Sequence, residues 1–190
     1  MASPLVRGTA IACGVAAVAG LGIGVAVGKP VRSADVEQAR LLPKDLCARL
    51  GDISPLLPKA TSTKAFIQTG ITDVTCTVDV PEQTQPTFSA ASIKIRITPY
   101  AGREAGPGQP PSTPAEVAKQ AFTRKPWPTV GDRPYPTKVD RHAGQDPRVA
   151  VLVYRADLTV QVDYAAHPID PATAQQAAQV LADRAIWESQ

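Results

Sequence analysis

The residues whose chemistry reaches beyond packing are few: three cysteines, two histidines and one basic stretch with interleaved aromatics. Cys13 lies inside an apolar N-terminal run, so Cys47 and Cys76 form the only pair outside it. A pair in a chain that carries an export segment suggests a disulfide. The alternative is two buried thiols that never meet. His142 stands beside Asp140 and Arg141 and could serve as a base; a solvated loop histidine is the plainer reading, and His167 before Pro168 takes the same one. No HxxxH spacing occurs, and the cysteines are claimed by each other, so no metal site and no cofactor is expected. There is no GxSxG elbow, no GxxxxGK[ST] loop, and no GxGxxG behind a strand. The chain therefore reads as a non-enzyme.

The stretch from Lys119 to Arg141 sets Lys119, Arg124, Lys125, Arg133, Lys138 and Arg141 against Asp132 and Asp140, with Trp127 and Tyr135 each held between prolines. Prolines stiffen a loop in advance, and a rigid aromatic beside a cation contacts a partner at low entropic cost. Lys125, Trp127, Arg133 and Tyr135 are therefore the candidate contacts for an anionic envelope polymer, a lipid headgroup or a protein. The competing reading packs both aromatics down over a sheet edge. Trp187 is expected to pack inward as the last turn of a helix.

These residues need a body and an address. From Gly8 to Gly28 no residue is charged, with Arg7 before the run and Lys29 and Arg32 after it. At about 1.5 Å per residue a helix of this length crosses a hydrocarbon core of roughly 30 Å. Residues 1–33 read as a signal-anchor with a transmembrane segment at about 8–28, and the cell membrane is the expected location, single-pass, with the domain outside. Cleavage near Ser33, giving a secreted protein, is the alternative; a lipoprotein signal before Cys13 has too short an apolar stretch ahead of it. The flanking charges nearly balance, so the cysteine pair sets the orientation. Gly20, Gly24 and Gly28 share one helix face where backbones could approach a partner helix. The chain's formal charge is +3, and Arg7, Lys29 and Arg32 account for all of it. The remainder, 34–190, is neutral and leaves no electrostatic footprint for nucleic acid.

Residues 34–190 read as one domain. Helical character is expected over 34–50, interrupted at Pro43 and ended by Gly51. Thr72 to Val80 alternates, placing Cys76 on the core side under a helix that carries Cys47; Ser89 to Thr98 alternates with Ile93, Ile95 and Ile97 inward. PEQTQP joins them as a hairpin loop. Tyr100 to Pro114 reads as a flexible Gly/Pro-rich loop, followed by a capping box at Thr113–Glu116 and a helix to about Phe122. A short strand near Lys138 to Arg141 precedes a hairpin of Arg148 to Tyr154 and Leu158 to Tyr164. Asp170 caps a final helix with an apolar stripe of Ala174, Ala177, Ala178, Leu181, Ala185 and Ile186. The expectation is an α+β fold: an antiparallel sheet of about four to five strands with helices packed on one face.

Lys44-Asp45-Leu46-Cys47, Asp73-Val74-Thr75-Cys76-Thr77, the turn Val130-Gly131-Asp132-Arg133-Pro134-Tyr135, the hairpin VAVLVYRADLTVQVDY and the alanine-rich closing helix carry a resemblance. Over about residues 40–187 the domain resembles small secreted and lipoprotein domains of unknown function common in actinobacteria. More distantly it is similar to extracellular sensor-type domains of actinobacterial serine/threonine kinases. The resemblance implies a Cys47–Cys76 disulfide, an α+β fold and a cell-envelope location, and no known activity. The expected role is ligand or partner binding in the envelope. The alternatives are an accessory subunit of a membrane complex, or an envelope hydrolase built on scattered carboxylates. The sequence leaves the oligomeric state open.

Overall fold

Alternating β-branched residues build the core of a sheet. The computed structural model describes residues 36–53, 56–57, 67–80, 91–142, 148–166 and 169–190. The apolar run with Cys13, Gly20, Gly24 and Gly28, the PEQTQP loop and His167 lie outside the described residues. Among the described residues no helix is long and apolar enough to cross a membrane.

The strands are β1 (Ile67–Thr69), β2 (Val74–Val80), β3 (Ala91–Pro99), β4 (Thr129–Val130), β5 (Thr137–His142), β6 (Arg148–Arg155) and β7 (Leu158–Ala165). They form a seven-stranded sheet in the order β1-β2-β3-β7-β6-β5-β4, and every pairing is antiparallel. The α+β class with an antiparallel sheet holds, but seven strands exceed the expected number. The two extra ones are the edges, β1 and β4. Three residues and two residues are too short to display a period, and Pro126 and Pro128 mask β4 further.

Two meanders, β1-β2-β3 and β4-β5-β6-β7, join where β3 pairs with β7. In register, Cys76 faces Ile95, Ile95 faces Val162, Val162 faces Val151, and Val151 faces Val139. This row and its neighbours Val74, Val78, Ile93, Ile97, Val160, Tyr164, Val149 and Val153 point to one face and are buried. Each buried aliphatic side chain contributes roughly 1.5–3 kcal/mol relative to exposure.

Among the described residues there are three helices: α1 (Leu46–Arg49), α2 (Pro114–Arg124) and α3 (Pro171–Glu188). Helix α3 covers the apolar face; its predicted stripe, Ala174, Ala177, Ala178, Leu181, Ala185 and Ile186, is buried. Asp170 caps it, its carboxylate accepting from the Thr173 amide at 3.0 Å, and Pro171 takes the first turn. Helix α2 starts with the expected capping box, in which Thr113 and Glu116 satisfy each other's amides.

Helix α2 lies on the opposite face, which corrects the expectation of helices on one side. Phe122 packs on Tyr154 with ring centroids 5.7 Å apart, and Tyr154 projects away from the Val151 and Val153 side of β6. The reason is the connection. The chain leaves β3 at the centre of the sheet and must reach β4 at its edge, while the apolar face is taken by α3. It crosses over β6 and β7 on the free side, burying Ala118 and Phe122 with Leu152.

The second correction concerns 34–50. Residues 36–42 form neither helix nor strand, and only Leu46–Arg49 is helical. Partners elsewhere in the domain outbid local helix propensity. The Gly102 amide donates to the Glu37 carbonyl at 2.8 Å, and the Leu42 amide donates to Ile71 at 3.3 Å. Arg40 donates from Nε to Asp157 at 2.7 Å and closes a second bond from Nη2 to the same carboxylate.

Candidate functional site

The cysteine pair is joined. Cys47 and Cys76 form a disulfide across 29 residues of chain, with Cα atoms 5.6 Å apart, and both are buried. Strand β2 directs Cys76 inward by its alternation, and one turn of helix sets Cys47 over it. That turn is weak by itself. Asp45 at its N-cap makes no capping bond; its carboxylate accepts from Arg49 Nε at 2.9 Å instead. That bond holds the Asp45 carboxyl below its ordinary pKa. The cap comes from β1: the Gln68 side-chain oxygen accepts from the Cys47 amide at 3.0 Å, and its amide nitrogen donates to the Pro43 carbonyl at 3.1 Å. The small edge strand thus holds the disulfide-bearing turn in place. Gly70, at φ +81°, makes the turn into β2, where a Cβ would stand 2.0 Å from the Asp73 carbonyl oxygen.

The four candidate contacts are not brought together. Lys125 and Trp127 follow the C-terminus of α2, with Lys125 Nζ 5.0 Å from the centre of the Trp127 ring. Trp127 is half-buried and Lys125 exposed. Arg133 and Tyr135 turn to the other side of the sheet, toward α3. Arg133 donates to Asp183 at 2.5 Å, and Tyr135 packs against the core with the Arg155 guanidinium 5.1 Å over its ring. Arg133 Nε and Asp183 Oδ1 are buried without a hydrogen-bond partner among the described residues, as is Arg155 Nη1. The first two belong to one ion pair, so the mismatch is internal to it and not an opening for a ligand. Arg133 and Tyr135 hold the turn on the body of the domain.

Lys138 is also spent inside. Its ammonium donates to the Thr123 carbonyl at 3.1 Å and to the Lys125 carbonyl, 5.1 Å from the Phe122 ring. A strand lysine therefore neutralises the open C-terminal carbonyls of α2. Arg141 donates to Gln175 of α3 at 2.8 Å. His142 is exposed at the end of β5, its Nδ1 3.4 Å from Asp140. No group of metal-ligating side chains is present among the described residues.

Among the described residues, a groove of about 480 Å³ opens beside α2, lined by Pro110, Pro111 and Ser112 on one wall and by Glu116, Lys119, Gln120, Thr123 and Arg124 on the helix. The wall is a small ladder: Arg103 and Ser112 exchange backbone bonds of 2.8 and 2.9 Å, and Gly106 bridges to Gln109. Arg103 ties the wall to the helix, donating to Ser112 Oγ at 3.3 Å and Gln120 Oε1 at 3.2 Å. The Glu116 carboxylate is committed to the helix cap, accepting from the Thr113 amide at 2.8 Å and its hydroxyl at 3.1 Å. Lys119 and Arg124 have no ionic partner among the described residues. Sequence reasoning named both cations but not the groove. Its other wall comes from a Gly/Pro-rich segment whose folding back depends on Arg103, which has no local signal.

Trp187 does not pack inward: it is 69% exposed, because Ile186 takes the buried stripe of α3 and the next position points outward. Leu41 is 73% and Ile71 48% exposed. Comparison with models of known protein families, with curated proteins and with solved structures finds no match to this chain in any of the three.

Proposed function

We propose that the chain is an extracytoplasmic domain, held at a membrane by residues 8–28, that binds an envelope ligand or partner and performs no catalysis. The observation that carries this is the buried Cys47–Cys76 disulfide. Such bonds persist where the surroundings are oxidising, and the uncharged run ahead of the domain supplies the route there. The groove beside α2 is the proposed contact. Lys119 and Arg124 are its uncommitted charges, its one carboxylate is engaged in a cap, and Lys125 and Trp127 follow directly in the chain. These features suit an anionic partner such as an acidic envelope polymer or the acidic face of a protein.

The test uses the full chain expressed in a bacterium that exports it. Protease added to intact spheroplasts is expected to degrade the domain, and peptide mapping without reductant is expected to recover Cys47 linked to Cys76. Free thiols, with protection that lasts until the cells are opened, would remove the proposal. An immobilised anionic polymer is expected to retain the chain, and K119E/R124E to abolish retention; equal retention of both would discard the groove as the contact.

A further inference from the structure

Several segments meet at one end of the sheet. The Leu42 amide is bonded to Ile71, so the incoming segment 36–42 lies against the turn before β2. Arg40 is paired with Asp157 in the β6–β7 turn and reaches the Ser189 carbonyl at the end of α3, 3.5 Å away. Tyr100, where β3 ends, donates its amide to Asp157 at 2.9 Å. Five large apolar side chains stand exposed among the described residues, and three of them, Leu41, Ile71 and Trp187, belong to these segments. Scattered singly, such residues need no explanation; gathered at the end where the chain enters the domain, they do.

We propose that this end is a lipid-facing surface: Leu41, Ile71 and Trp187 enter the boundary between headgroups and acyl chains of the bilayer that residues 8–28 cross. The inference rests on the anchored reading above. The length of chain outside the described residues selects this occupant. Seven residues, 29–35, separate the apolar run from Val36, and fully extended they reach roughly 25 Å. On the anchored reading this length limits how far Val36, and with it the segment 36–42, can lie from the bilayer. Tryptophan is suited to the interface, since its ring is apolar and its indole N–H is polar. Three side chains would hold a free domain only weakly. A tether of this length keeps them at an effective concentration in the millimolar range, where weak contacts are occupied. Lys29 and Arg32 add attraction to anionic headgroups.

The chain has two tryptophans, so Trp127→Phe leaves Trp187 alone to report. The full-length variant is placed in phosphatidylcholine–phosphatidylglycerol vesicles, with and without lipids brominated near the headgroup end of the acyl chain. The expected result is a blue-shifted emission quenched at least about two-fold by the bromines, as for an interfacial tryptophan. Trp187→Phe, which reports Trp127 alone, is expected to be unaffected. Adding L41S/I71S to Trp127→Phe is expected to reduce the quenching. Alkaline washing separates the two readings. If the chain is retained and Trp187 stays open to aqueous iodide and unquenched by bromine, the lipid surface is overturned and the anchor stands. If washing releases the chain, the anchor fails and this proposal with it. Shielding of Trp187 that grows with protein density without bromine quenching would assign the surface to a second copy and overturn the lipid.

Discussion

Tyr164 shows how one residue couples the core to solution conditions. It is fully buried, and its hydroxyl donates to the Leu56 carbonyl. Burial raises its pKa above the ordinary value of 10.0 because a phenolate would lose its hydration. The folded state therefore holds this proton more tightly than the unfolded chain. Its contribution to stability is complete below the unfolded pKa and is lost as pH rises through the raised folded one. Tyr164→Phe keeps the ring but strands the Leu56 carbonyl, so it is expected to cost about 1–2 kcal/mol at neutral pH and to flatten the alkaline decline. Urea unfolding at neutral and alkaline pH measures both; an unchanged alkaline slope would mean that another group titrates.

At the scale of elements, α2 is the helix with the smallest stake in the main core. Ala118 and Phe122 are its buried apolar contacts on the far side of the sheet, apart from Pro114 in its first turn. Lys138 supplies what packing does not, closing the C-terminal carbonyls of the helix from β5. Lys138→Met preserves the stem and removes the ammonium. The expected loss is roughly 1–3 kcal/mol, the range for buried groups left unpaired. Native-state hydrogen exchange should show it as faster exchange in α2 before α3. A uniform change across the domain would show that Lys138 supports the sheet as a whole. The groove stands on this helix, so its walls depend on the same bond.

For the molecule as a whole, the disulfide joins the N-terminal turn to a strand near the sheet edge. Closing a loop of this size removes chain entropy from the unfolded state worth about 3–4 kcal/mol. C47A/C76A is expected to lower the unfolding free energy by that order and to release α1 and β1 first, since Gln68 ties those two together. Denaturant titration with and without reductant is the measurement. An oxidised protein no more stable than its reduced form would show that the tie is redundant.

How much of this was legible in the sequence follows from the range of the forces involved. Strands β2, β3, β6 and β7 and helices α2 and α3 announce themselves because alternation, helical stripes and capping residues are local, and the core stripe of α3 was readable residue by residue. The cysteine count left one pairing available, and the structure shows that it forms. Tertiary structure decided what depends on distant partners: the non-helical course of 36–42, held through Glu37, Arg40 and Leu42, the two edge strands, and the passage of α2 to the opposite face. It also parted Trp127 from Tyr135 and left Trp187 in the open, because which neighbour covers a side chain is settled by strand order and chain crossing, and neither leaves a periodic trace in the sequence.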